Sequence, residues 1–305
     1  MTAPPPEDRL PPRVRVVEVS PRDGLQAEAT TLSTDAKLEL IDRLVAAGHS
    51  TIEATSFVSP KAVPQLADAE ELMKRLRRAP GVRYPVLVPN ERGLDRALSC
   101  GVTDVAVFAA ASESYSLKNL GRSREETLRD YVPVVRRAKE MGARVRGYLS
   151  MVIADPWDGP TPLRTVVEAS RALADMGCDE LSLGDTIGVG TANAARDVVR
   201  ALVSAGIPIE RIGVHFHDTY GQALANVLAV LTLGVTTVDA SAGGLGGSPF
   251  AKSAAGNLAT EDLVWMLDGL GIESGVDVRR VAETARWACG LLGREPAGRT
   301  TRALA

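Results

Sequence analysis

Two of the chain's three histidines flank Phe216 in Gly213-Val214-His215-Phe216-His217-Asp218, at the end of a β-like run. Alternation along a strand sends residues i and i+2 to one face, so both imidazoles point into the same space. Such a pair reads either as structural histidines held by core hydrogen bonds or as half of a metal site, histidine being the commonest metal ligand. Asp23, in Ser20-Pro21-Arg22-Asp23-Gly24, and Asn257, in Gly256-Asn257-Leu258, offer a carboxylate and an amide oxygen to complete it. Two neutral imidazoles with a carboxylate suit manganese, iron or zinc, whereas magnesium prefers oxygen donors but tolerates open water positions. Taken by itself, Asn257 reads first as a turn or helix-entry residue.

Other chemistry-bearing residues fall at comparable places. Arg22 reads as a salt-bridging residue at a rim, or as a fixed cation that stabilises an oxyanion developing on a carbonyl. Glu53 sits between Ile52 and Ala54 in a strand-like run, where a buried charge must be paired; Arg22 is the candidate partner. Asp185, in Gly184-Asp185-Thr186, caps the next helix or acts as a general base. The run Gly243-Gly244-Leu245-Gly246-Gly247-Ser248-Pro249 is either an ordinary loop or a lid whose bare backbone approaches a ligand closely.

The elements that must position these residues follow from a repeated punctuation: an amphipathic stretch, a glycine, then a short β-rich run. The glycines are Gly48, Gly101, Gly142, Gly177, Gly206 and Gly234, each placed where a helix would close through a left-handed residue. The runs after them, with Val14 to Val19 and Tyr84 to Val88, predict eight strands alternating with helices. That alternation implies a single-domain (β/α)8 TIM barrel over residues 14–293. A doubly wound open sheet is the competing reading, since alternation does not reveal closure, but no G-x-G-x-x-G follows the first strand. Residues 1–13, proline-rich, are expected to be flexible, and residues 294–305 form a C-terminal tail outside the pattern. In a barrel the chemistry collects at the C-terminal strand ends, which is where all the residues above fall.

Composition narrows the class. The 305 residues carry a formal net charge of -3 and contain 45% hydrophobic but only 4% aromatic residues. Without a basic tract, nucleic acid is not the expected partner. No apolar stretch approaches the roughly 18–20 residues that cross a bilayer, and the first residues lack a signal-peptide pattern, so a cytoplasmic protein without a membrane partner is expected. Cys100, Cys178 and Cys289 are widely spaced and read as buried thiols rather than a disulfide framework.

The longer motifs resemble those of the 3-hydroxy-3-methylglutaryl-CoA (HMG-CoA) lyase family. They are Val17-Glu18-Val19-Ser20-Pro21-Arg22-Asp23-Gly24-Leu25-Gln26, Ile52-Glu53-Ala54-Thr55-Ser56-Phe57-Val58-Ser59-Pro60-Lys61, Ser182 to Gly190, His215 to Asn226, and Gly256 to Leu263. The resemblance spans about Val14 to Gly275. It implies cleavage of an acyl-CoA substrate, HMG-CoA or a related 3-hydroxy-3-alkylglutaryl-CoA, into acetyl-CoA and a 3-oxoacid by a homodimeric barrel using Mg2+ or Mn2+. It further implies that Asp23, His215, His217 and Asn257 are metal ligands and that Arg22 steadies the thioester enolate. Glu53 would orient Arg22, Asp185 would take part in proton transfer, and Ser56, Gly246 and Gly247 would contact substrate. Tyr148, Met151 and the Ala154-Asp155-Pro156-Trp157 loop either shape the acyl pocket or simply pack.

Two positions depart from the family. Ser248 stands where its catalytic cysteine belongs, and a hydroxyl is a far weaker acid than a thiol of pKa near 8.5. Ala29 lies near where a lysine is often found. Ser248 is compatible with a related substrate and another proton donor, with a slow lyase, or with a deliberate substrate-trapping variant. Two rival functions remain: a Claisen-condensing acyltransferase of the isopropylmalate synthase type, and a weakly active or non-catalytic homologue that binds metal and CoA.

Overall fold

A computed structural model describes residues 10–247 and 256–305. Eight parallel strands run in the order β1-β10-β9-β8-β5-β4-β3-β2, with β1 over Arg15–Glu18, β2 over Thr55–Ser56, β3 over Val86–Leu87, β4 over Asp104–Ala110, β5 over Arg144–Ser150, β8 over Glu180–Asp185, β9 over Ile212–Phe216 and β10 over Thr237–Ala240. The other two, β6 (Ala154–Asp155) and β7 (Gly159–Pro160), form a two-residue hairpin beyond β5. Closure, which the alternation left open, is made at Glu18. Its N–H donates to Thr51 O at 3.0 Å and its carbonyl accepts from Glu53 N at 2.8 Å, joining β1 to the segment leading into β2. The open-sheet alternative falls away, and the single-domain TIM barrel stands.

The strands read as near-continuous apolar runs because a parallel sheet wrapped in helices is buried on both faces. Every residue of β8 is buried, as is all of β5 after Arg144. Helix α1 (Thr34–Ala46) begins where Ser33 accepts from Ala36 N, and it turns Leu40, Ile41 and Leu44 inward to zero exposure, each worth roughly 1.5–3 kcal/mol of burial. Helix α5 (Arg124–Glu140) opens with a reciprocal capping box between Ser123 and Glu126. All six junction glycines have positive φ. At Gly48 the requirement is double, since a Cβ there would also lie 2.2 Å from Gly275 O.

Of the segment expected to be flexible, residues 1–9 lie outside the described residues; Pro12 and the C-terminal tail are both tied down. Glu273 N donates to Pro12 O at 3.0 Å. The tail carries a short helix, α11 (Arg299–Ala303), whose Thr300 and Thr301 are buried. All three cysteines are buried and free. No helix among the described residues is long and apolar enough to cross a membrane.

Candidate metal centre and active site

The donors converge as the strand pattern requires. His215 is buried on β9, and His217 follows it at the mouth, where its backbone N–H takes Asp185 O and it bridges to Asn257. Their Nε2 atoms face each other at 3.3 Å. Asp23 arrives on a widened π-helical turn, Ser20–Gly24, directly after β1; such turns frequently occur at functional sites. Its Oδ2 lies 3.8 Å from His215 Nε2, and one ligand atom from each of Asp23, His215 and His217 fits within a 4.8 Å span. Asn257 enters after β10, and its Nδ2 donates to Asp23 Oδ2 at 2.8 Å and to Leu245 O at 3.0 Å.

This donor set fits a divalent cation. Asn257 Oδ1 is buried without a hydrogen-bond partner among the described residues, an arrangement that costs free energy unless something electropositive meets it. The two imidazole nitrogens that face one another beside the Asp23 carboxylate are donors of the type that ligates such a cation. Asp23 is poised as an anion: burial alone would raise its pKa, but Arg22, His215, His217 and the Asn257 amide hold it below the usual carboxylate range.

Arg22 is 5% exposed and forked between two carboxylates, with Nη1 on Asp23 Oδ1 at 2.6 Å and Nη2 on Glu53 Oε2 at 2.7 Å. Burial opposes its charge, yet Glu53 and Asp23 more than offset it and keep the guanidinium protonated. The expected pairing of Arg22 with Glu53 is therefore present. Asp185, buried at the end of β8, accepts from Val189 N at 3.2 Å and Gly190 N at 2.8 Å within its own loop. Burial nonetheless pushes its pKa up to about 6, against the pull of those amides.

The buried Ser56 hydroxyl donates to Leu87 O on β3 at 3.3 Å. Gly246, at φ 115°, lies so close over Asn257 that a Cβ would come within 2.5 Å of Nδ2. Gly247 follows it, half-buried. Ser248 lies outside the described residues.

Beneath lies a layer whose pairing of Asp239, Arg146 and Tyr148 sequence reasoning did not foresee. Asp239 on β10 accepts from both Arg146 Nη atoms, at 3.0 and 2.6 Å, and from Ser182 Oγ at 2.9 Å, and lies 3.2 Å from His215 Nδ1. With Nδ1–H turned to Asp239, His215 presents Nε2 toward Asp23, the carboxylate–histidine orientation that metal sites use. Burial would raise the Asp239 pKa, but Arg146 and His215 bring it down to about 2. Tyr148 takes a hydrogen bond from Arg146 Nη1 at 3.0 Å and donates to Glu53 Oε2 at 3.1 Å. The available signal was a charge inside an apolar run, Val145-Arg146-Gly147 and Val238-Asp239-Ala240.

The chain is similar over nearly its whole length to known proteins. The HMGL-like family model matches residues 13–287. A Pseudomonas aeruginosa protein named 3-hydroxy-3-isohexenylglutaryl-CoA/hydroxy-methylglutaryl-CoA lyase is 48% identical over 295 residues, covering 97% of this chain and 98% of its own. The crystal structure of hydroxymethylglutaryl-CoA lyase from Pseudomonas aeruginosa superposes with a TM-score of 0.94 at 48% identity, over 97% of this chain and 98% of that one. An HMG-CoA lyase from Acinetobacter baumannii, solved with coenzyme A and 3-methylmalate, does so at 0.91 with 34% identity, over 99% and 97%.

Proposed function

The chain belongs to the HMGL-like family, and from that premise we propose that its mouth carries out the retro-Claisen cleavage of HMG-CoA, or of a related 3-hydroxy-3-alkylglutaryl-CoA, to acetyl-CoA and a 3-oxoacid. The observation that carries the reading is the convergence of Asp23, His215 and His217 beside the doubly anchored cation of Arg22.

Asp23, His215, His217 and Asn257 would hold Mg2+ or Mn2+, which supplies Lewis acidity to the substrate's tertiary hydroxyl and so lowers its pKa. The protein groups account for the rest. Asp185, with a pKa near 6, is ionised at neutral pH yet basic enough to take the hydroxyl proton. As the C3 hydroxyl becomes a ketone, the C2–C3 bond breaks and its electron pair moves onto the thioester as an enolate. Arg22 is the group to receive that charge, because Glu53 fixes its fork in advance and no reorganisation is needed during the reaction. Tyr148 donates to the same Glu53 oxygen, Oε2, that Arg22 holds, and Gly246 brings bare backbone to the edge of the donor set.

The enolate carbon must then gain a proton to become acetyl-CoA. In this reading the Ser248 hydroxyl, standing where the family's cysteine is expected, supplies it only through water, so protonation limits the rate. The test is release of acetyl-CoA and acetoacetate from HMG-CoA by the purified protein with added Mn2+. Turnover that is slow, abolished by chelation, and raised about 10²–10⁴-fold in kcat by Ser248→Cys is expected, the range a general acid typically contributes. Absence of cleavage in both proteins would remove HMG-CoA as the substrate.

A further inference from the structure

The glycine-rich segment is gripped at its base by buried groups from distant parts of the chain. Ala242 N donates to Glu18 Oε1 at 3.0 Å, and Gly243 N donates to Glu261 Oε2 at 3.0 Å. Gly243 O accepts from Ala297 N at 3.0 Å. Glu261, on α9 (Thr260–Gly269), is fully buried, and its second oxygen accepts from Thr301 Oγ1 at 2.6 Å. Its neighbour Asp262 accepts from Arg299 N at 3.0 Å and Thr300 N at 2.7 Å, fixing the start of α11. The surfaces meet at contact distance. A Cβ on Gly298 would fall 2.0 Å from Glu261 Oε1, and one on Gly244 would lie 3.1 Å from Ala297 Cβ.

The other end of the same segment reaches the donor set, where Leu245 O accepts from Asn257 Nδ2. A short relay therefore runs from Thr301 through Glu261, Gly243 and Leu245 to Asn257. Glycine-rich backbone loses more conformational entropy on ordering than any other, so such a segment holds one position only if outside groups impose it.

We infer that residues 297–301 form a strut that positions the backbone of residues 243–247 against Asn257, with Glu261 and Thr301 as positioning residues for the reaction. Neither touches the donor atoms; both act through the Gly243 peptide. The C-terminal tail is in this sense part of the mouth, although it lies 44 residues beyond Asn257 at Thr301.

The test compares full-length Thr301→Val, which keeps the shape and removes the hydroxyl, with Thr301→Ser, which keeps the hydroxyl. Hydrogen–deuterium exchange over residues 241–247 is the primary readout, with kcat and KM for HMG-CoA beside it. In Thr301→Val, exchange in that peptide is expected to quicken about ten- to hundredfold while the remaining barrel peptides keep wild-type rates. The same variant should lose about tenfold in kcat with KM changed less than about twofold, and Thr301→Ser should restore both. Wild-type exchange in Thr301→Val, a uniform gain across the barrel, or a serine variant behaving like valine would each overturn the strut. The kinetic half rests on the lyase reading, whereas the exchange half does not. A local exchange gain in a protein whose wild type cleaves nothing would support the strut and sink that reading instead.

Discussion

The two ends of this barrel both bury charge, and they do so to opposite ends. At the floor, where the strands begin, Glu180 is surrounded by guanidinium groups: Arg15 contacts it directly, Arg146 Nε lies at 2.8 Å and Arg144 at 3.5 Å. At the mouth, two imidazole nitrogens meet at 3.3 Å and an amide oxygen has no partner among the described residues. Opposite charges closing on one another make a structural network, complete without a guest. Like donors turned toward a common point make a site whose stability improves when something binds. Arg146 and Asp239 connect the two layers, since Arg146 holds Glu180 below and Asp239 above, and Asp239 reaches His215.

The sharpest way to break the contrast is to remove the mouth's cation. Arg22→Gln is expected to lower kcat by about 10²–10³-fold, the usual cost of losing an oxyanion-stabilising donor, while Mn2+ affinity measured by titration calorimetry stays within a few-fold; equal losses in both would make Arg22 a scaffold of the metal site. The mirror experiment is Glu180→Gln at the floor. It should cost about 3 kcal/mol of unfolding free energy in urea, the lower part of the range for a broken buried pair because Arg15 and Arg144 reach solvent. Its kcat and KM should match wild type, and a kinetic defect in a fully folded Glu180→Gln protein would blur the distinction between the layers. The smallest effect concerns pH. The Asp185 pKa is raised to about 6, so the base is protonated and idle below that value and ionised above it. The kcat/KM profile should therefore climb about tenfold per pH unit up to about pH 6 and then level off, and Asp185→Asn should remove that limb.

Much of this was legible in the sequence, for identifiable reasons. Glycine punctuation located the αβ junctions because a left-handed closing residue is a local requirement, and the spacing of His215 and His217 placed both rings together because strand alternation is local too. Closure at Glu18 was not readable, since it depends on where the first strand lies relative to the second in space. The hydrogen bond from Ser56 to Leu87 O was not readable either, since it is set by the neighbouring strand. The Asp239–Arg146–Tyr148 layer draws on β5 and β10, so no single stretch announces it. Only the general rule that a buried charge needs a partner pointed there.

The pairing of β1 with β10 also bears on how the molecule comes into being. Arg15 pairs with Thr237 and Glu18 with Ala240, so one flank of β1 has no partner until more than two hundred further residues have left the ribosome. Contacts of such sequence separation form late, because the entropy of closing the intervening chain must be overcome first. Asp23 lies just past one side of that pairing and Asn257 just past the other. Asp23 therefore meets His215, His217 and Asn257 in the same late step that joins the first strand to the last, and a nascent chain that has not closed its barrel has not assembled this donor set.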